Sequence, residues 1–213
     1  MIQIQNSHPE PHAPCKRTNK LGILSRGPFR SSLVSLLLFL GIGPALYGLI
    51  VWEQGNFHVV SNGRVYRSRQ LDRDELARYA HDYGIKSVLN LRGKNVGDNW
   101  YQEEILAAQS LGLGHYDYAL SANRDVGDHD IEQILDILRE APKPILIHCR
   151  SGADRTSLVA ALYLYRMECK TANESERQLS LRYGHFPYLG NSTKAMDRTF
   201  QRYVRSHATC AIP

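Results

Sequence analysis

Cys149 and Arg155 stand with five residues between them in the segment 145–157, I-L-I-H-C-R-S-G-A-D-R-T-S. Residues 145–148 read as a short buried strand, and a helix is predicted to begin near Asp154. The loop between them, Arg150, Ser151, Gly152, Ala153 and Asp154, therefore runs into a helix N-terminus. Successive backbone N–H groups at such a place face one concavity and bind an anion. The same field favours the thiolate form of Cys149. A thiolate attacks phosphorus to form a covalent intermediate. Arg155 supplies a planar fork of donors matched to two phosphate oxygens. Gly152 lets the backbone turn tightly around the bound group. Thr156 is placed to donate its hydroxyl to the Cys149 sulfur. The plainer alternative, an inert buried cysteine at a strand end, leaves the Arg155 spacing without a purpose.

Cleavage of a phosphate ester also needs an acid to protonate the departing oxygen. The segment 121–128, S-A-N-R-D-V-G-D, offers Asp125 and Asp128. Asp128 is predicted to cap the helix that follows, which leaves Asp125 as the candidate acid. Asp117, alternating within a strand, fits less well. His148 is expected to orient the loop by hydrogen bonds and His185 to fix a neighbouring loop. Arg92 is expected either to form a structural ion pair or to touch substrate. Asp154 places a negative charge inside the anion loop, only partly offset by Arg150. That sign disfavours a substrate carrying several phosphates.

The elements that must position these residues alternate. Residues 57–60 and 64–66 flank Asn62-Gly63 and predict a hairpin. Asp72 caps a helix to about Tyr83, closed by Gly84. A strand over 85–91 is followed by a helix over 99–111, closed by Gly112. A strand over 115–120 precedes a helix from Asp128 or Asp130 to about Arg139. After the 145–148 strand come helices over about 154–168, 173–183 and 193–206. Strands alternating with helices predict an α/β domain with a mostly parallel central sheet flanked by helices.

The segment 148–156 resembles the H-C-x5-R-[S/T] signature of the protein tyrosine and dual-specificity phosphatase superfamily. Val88–Gly93 (V-L-N-L-R-G), Val65–Ser68 (V-Y-R-S) and Tyr183–Phe186 (Y-G-H-F) look like features of its bacterial dual-specificity-like branch. The likeness covers about residues 56–205. It implies hydrolysis of phosphate monoesters through a cysteinyl-phosphate intermediate without metal or other cofactor. Its implied substrates are phosphotyrosine or phosphoserine/threonine proteins, or else a small-molecule or lipid phosphate. Ser157 departs from the many relatives that carry glycine there. A rhodanese-like sulfurtransferase is the remoter alternative, but its usual loop is one residue shorter.

The 213 residues carry a net charge of +5. Residues 1–30 hold Lys16, Arg17, Lys20, Arg26 and Arg30 against Glu10, so +4 of it lies in this tail. The remainder is nearly neutral, which argues against nucleic acid as a partner. Residues 31–52 carry no charge and as a helix would span about 33 Å, enough for a hydrocarbon core of about 30 Å. They predict a transmembrane anchor. A cleaved signal sequence fits less well because of the long leading tail and the lack of a small-x-small site. The chain thus divides into a basic cytoplasmic tail (1–30), the anchor (31–52) and a catalytic domain (53–213). The basic flank predicts a catalytic domain outside the cytoplasm, periplasmic in a Gram-negative cell. Cys169 and Cys210 would pair only in such an oxidising compartment.

Overall fold

The structure, a computed structural model, describes residues 55–188 and 190–210, with isolated positions between Ser35 and Leu49. The chain divides into two compact units, Met1–Gly41 and Ile42–Pro213, and the sheet belongs to the second. Most of the 31–52 segment lies outside the described residues. Among the described residues no helix is long and apolar enough to cross a membrane.

Five strands form one sheet: β1 (His58–Ser61), β2 (Val65–Ser68), β3 (Ser87–Asn90), β4 (Gly114–Asp117) and β5 (Ile145–His148). Their order is β1-β2-β5-β3-β4. β1 and β2 form the predicted antiparallel hairpin, and every other pairing is parallel. Side chains alternate across the sheet. Val65, Leu89, Ile145 and Ile147 face one core, and Tyr66, Val88 and Leu146 face another. Both faces are covered, as parallel sheets require.

The helices are α1 (Arg73–Tyr83), α2 (Asn99–Ser110), α3 (Asp128–Glu140), α4 (Arg155–Met167), α5 (Ala172–Glu176) and α6 (Lys194–Ser206). α1 starts as predicted: Asp72 and Glu75 form a reciprocal capping box, and Gly84 closes the helix with φ 63°. Every residue of α4 from Thr156 to Tyr165 is buried, so the helix that carries Arg155 runs through the core.

Three expectations need correction. The 173–183 helix is instead α5 and a 3-10 turn, Leu181–Tyr183. The fourth strand ends at Asp117, opposite the last residue of β3, Asn90; beyond it Tyr118 N–H still donates to the Asn90 carbonyl and Leu120 N–H to that of Leu91. Asp128 is not the cap of α3: Gly127 holds that position without a side-chain bond. The Asp128 carboxylate instead pairs with Arg202 of α6 at 2.8 Å.

Cys169 and Cys210 are joined in a disulfide with Cα atoms 5.1 Å apart. It ties the end of α4 to the segment after α6. Closing a loop of 41 residues stabilises a fold by about 2–4 kcal/mol in the chain-entropy view. The full chain, denatured without reductant, is expected to titrate two thiols, Cys15 and Cys149, and four after reduction. Reduction is also expected to lower Tm. Four thiols without reductant would contradict the bridge.

Candidate active site

Parallel pairing brings the ends of β2, β3, β4 and β5 to one edge: Ser68 and Asn90 both sit opposite His148, and Asn90 sits opposite Asp117. Loops after these strands meet there. The loop from Cys149 to Arg155 lies among them, with Cys149 buried.

The shape of this loop follows from where its carbonyls go. The carbonyl of His148 accepts from Leu91 N–H at 2.9 Å and that of Arg150 from Gln70 N–H at 3.2 Å. The carbonyl of Ser151 accepts from Asn56 Nδ2 at 3.0 Å, and that of Gly152 from Arg67 Nη2 at 2.7 Å. With the carbonyls drawn outward, the amides are left for a ligand. Among the described residues only Ala153, of positions 150–155, has an acceptor for its N–H, Ser151 Oγ at 3.4 Å. Gly152 has φ 72°, and a Cβ there would lie 2.6 Å from the Ser68 carbonyl oxygen. Only glycine fits.

Arg155 is fixed through Nη1 to the carbonyls of Leu91 (3.3 Å) and Leu120 (3.2 Å). Its Nε is buried and unpartnered. The Thr156 hydroxyl is likewise buried without a partner, so the expected bond to Cys149 is not formed. Unmade bonds of buried donors are costly, and an anion seated in the loop would satisfy the guanidinium.

His148 does orient the loop. Its Nδ1 lies 3.4 Å from the Cys149 carbonyl and its Nε2 3.2 Å from Glu104. Burial alone would raise the Glu104 carboxyl, but His148 and then His115 outweigh it and hold the value at about 2. Arg92 makes no ion pair among the described residues. It lies over the Trp100 ring at 3.4 Å and donates to Gln70 Oε1 at 3.2 Å. Burial lowers its pKa, and so do the charges of Arg155 and Arg150. Arg92 therefore feels the guanidiniums of Arg155 and Arg150 at this edge.

His185 is fully buried between two carboxylates, Asp154 at 2.7 Å and Asp197 at 3.0 Å. Burial would push the imidazole down, but Asp154 and Asp197 raise it to about 9. Asp154 is thus paired with an imidazolium that it shares with Asp197, which weakens its expected repulsion toward a second phosphate. Asp125 is on the expected loop, but its carboxylate is turned onto Arg198 at 2.7 Å. Asp117 is occupied by Tyr101 and Asn90.

Asn56, Gln178 and Glu104 escaped the sequence reading, and Arg67 entered it only within the V-Y-R-S segment, without a role. Only Arg67 left a signal: an arginine two residues after Val65 in a strand, on a face that proved to be core.

A strand-end cysteine, a helix-start arginine and amides freed by outward carbonyls define a cysteine-dependent phosphatase site on an α/β sheet. Residues 51–174 match the tyrosine phosphatase family, and the chain belongs to it. Among solved structures, TpbA from P. aeruginosa is similar, with TM-score 0.53 and 22% identity over 74% of this chain and 88% of that one. The core catalytic domain of the PP-IP phosphatase SIW14 from S. cerevisiae, solved with citrate, gives 0.53 and 21% over 67% and 84%. At these identities the likeness establishes the fold.

The raised His185 yields a pH test. An unfolded histidine titrates near 6.5, so this contribution to stability is full below about that pH and fades as pH rises through about 9. The Tm difference between wild type and His185→Gln is expected to shrink over that window. A constant difference would contradict a charged His185.

Proposed function

We propose that this phosphatase acts through a phosphocysteine at Cys149 on phosphotyrosine or phosphoserine/threonine proteins. The supporting observation is the loop from 150 to 155, whose carbonyls at Arg150, Ser151 and Gly152 are held by Gln70, Asn56 and Arg67, with Arg155 at the start of the helix that follows. The loop amides of Arg150, Ser151, Gly152, Ala153 and Asp154 and the Arg155 guanidinium hold the phosphoryl oxygens. The Cys149 thiolate attacks phosphorus, and the ester P–O bond breaks with its electron pair on the departing oxygen. The Asp125 carboxyl protonates that oxygen, which requires it to leave Arg198. Water then attacks phosphorus and gives its proton to the Asp125 carboxylate, the S–P bond breaks with its electron pair on sulfur, and phosphate leaves with the thiolate and the Asp125 carboxyl restored. A crystal structure of TpbA holds pTyr, which favours a phosphotyrosine substrate by analogy only.

A second reading, a small phosphate ester with further anionic groups, is favoured by the positive charge of Arg155 and Arg150 felt at Arg92 and by the pairing of Asp154 with His185. A phosphate-release panel of phosphopeptides, inositol phosphates and lipid phosphates discriminates the two.

With an aryl phosphate in EDTA, wild type is expected to turn over. Cys149→Ser is expected to lose essentially all activity, and Arg155→Lys most of it, because a point charge does not replace a fork. Asp125→Asn is expected to fall about 10²–10⁴-fold on a phosphopeptide and less on p-nitrophenyl phosphate, whose leaving group needs little protonation. Full activity of Cys149→Ser would overturn the mechanism. Thiosulfate:cyanide transfer without phosphatase activity would favour the sulfurtransferase.

We further propose a single-pass membrane anchor with the catalytic domain outside the cytoplasm. The uncharged 31–52 stretch and its basic flank support this. So do the helical Leu36, Leu38, Ile42, Leu46 and Leu49, all exposed, and the disulfide. An alkaline phosphatase fused after Pro213 is expected to be active in a bacterial host. An inactive fusion, paired with a fluorescent cytoplasmic reporter, would reverse the topology.

A further inference from the structure

Arg67 is fully buried, although it carries the least easily discharged of side chains. β2 alternates, so Arg67 shares its face with Val65 and points toward α4. Its Nη2 donates to the Gly152 carbonyl and to Ser157 Oγ, each at 2.7 Å. Its Nη1 donates to Gln178 Oε1 at 2.7 Å and more weakly to the Gln178 carbonyl at 3.4 Å. The guanidinium lies 3.9 Å from the centre of the Tyr183 ring, and its Nε is buried without an acceptor.

Every one of these partners is neutral. Among the described residues no carboxylate pairs with Arg67. A buried charge in that position costs several kcal/mol unless compensated, so the compensation has to come from elsewhere. Burial pulls the guanidinium down to about 10, while Tyr183 and Cys149 push it back up. It therefore remains charged at neutral pH, and an anionic Cys149 acts on it favourably. Ser157, where related proteins are expected to carry glycine, supplies one of its acceptors in the first turn of α4.

We propose that Arg67 is a positioning residue for the Cys149 reaction: it holds the anion loop at Gly152 from behind and, lacking a carboxylate, takes the thiolate and then the bound phosphate as its counter-ions. This rests on Cys149 being the nucleophile. Two roles of one side chain are joined here. The hydrogen bond to Gly152 turns a carbonyl away from the phosphate. The charge lowers the cost of holding sulfur as an anion before substrate arrives.

Gln178→Glu separates the charge from the hydrogen bonds. It is nearly isosteric and offers Arg67 a carboxylate at the 2.7 Å position of Gln178 Oε1, leaving the bonds to Gly152 and Ser157 in place. The readout is thiolate ultraviolet absorbance against pH, taken as the difference between each protein and its Cys149→Ser counterpart. His58, Tyr183, His148, Arg155, Asp154 and His185 also surround this region, and they are common to all the proteins compared. The midpoint is expected to move up by about one pH unit, a tenfold change in thiolate fraction on the acid side. Tm is expected to hold or rise, because a buried cation gains a partner. Arg67→Lys keeps the charge and loses the fork, so its midpoint is expected to stay near wild type while kcat falls. An unmoved midpoint in Gln178→Glu, or a destabilised Gln178→Glu protein, would overturn the proposal. So would a midpoint in Arg67→Lys that moves as far as that of Gln178→Glu. The absorbance readout needs no substrate, so its failure is distinct from a failure of the phosphatase mechanism.

Discussion

Gly152 is pressed so closely against the end of β2 that a single methyl group would collide with the backbone of Ser68 and Arg69. That contact sets the curvature of the loop, and the rest of the site depends on it. The loop is held from four directions by donors from different parts of the chain: Leu91, Gln70, Asn56 and Arg67. Each takes a carbonyl outward. A backbone group carries its amide and carbonyl on opposite sides of one peptide plane, so fixing the carbonyls outside fixes the amides inside. The concavity is a consequence of tertiary bonding around the loop as much as of the loop's own sequence.

Buried charge follows the same layout. Below the loop, His185 is held as a cation by Asp154 and Asp197, which locks the start of α4 to α6. On the other side, Glu104 is kept ionised by His148 and His115, which locks β5 to α2 and β4. In both networks the carboxylates and imidazoles lie within hydrogen-bond reach of one another. Arg67 is different, since its acceptors are all neutral. Arg67 and Arg155, both without a carboxylate partner among the described residues, together concentrate positive potential at the candidate nucleophile.

Much of the fold was legible because its signals are local. The Asp72–Glu75 box, the closing Gly84 and the turn at Gly63 each act within a few residues. The strand 145–148 and the Cys149–Arg155 spacing were also plain, since strand, loop and helix are contiguous. The supports were not legible because they come from far away in sequence. Asn56 reaches Ser151 across 95 residues, Arg67 reaches Gly152 across 85 and Gln178 across 111. Asp128 was misjudged for the same reason: a local rule favoured capping, and Arg202, 74 residues away, claimed the carboxylate. Asp154 was read by its sign alone, and only the fold places His185 beside it.

The most direct measurement is rapid acid or base quench of the enzyme during turnover of an aryl phosphate, followed by peptide mass analysis. Phosphoryl mass on the peptide that carries Cys149, absent from the Cys149→Ser protein, is the expected result. Turnover with the phosphoryl group on another residue, or undiminished turnover in Cys149→Ser, would contradict a phosphocysteine mechanism.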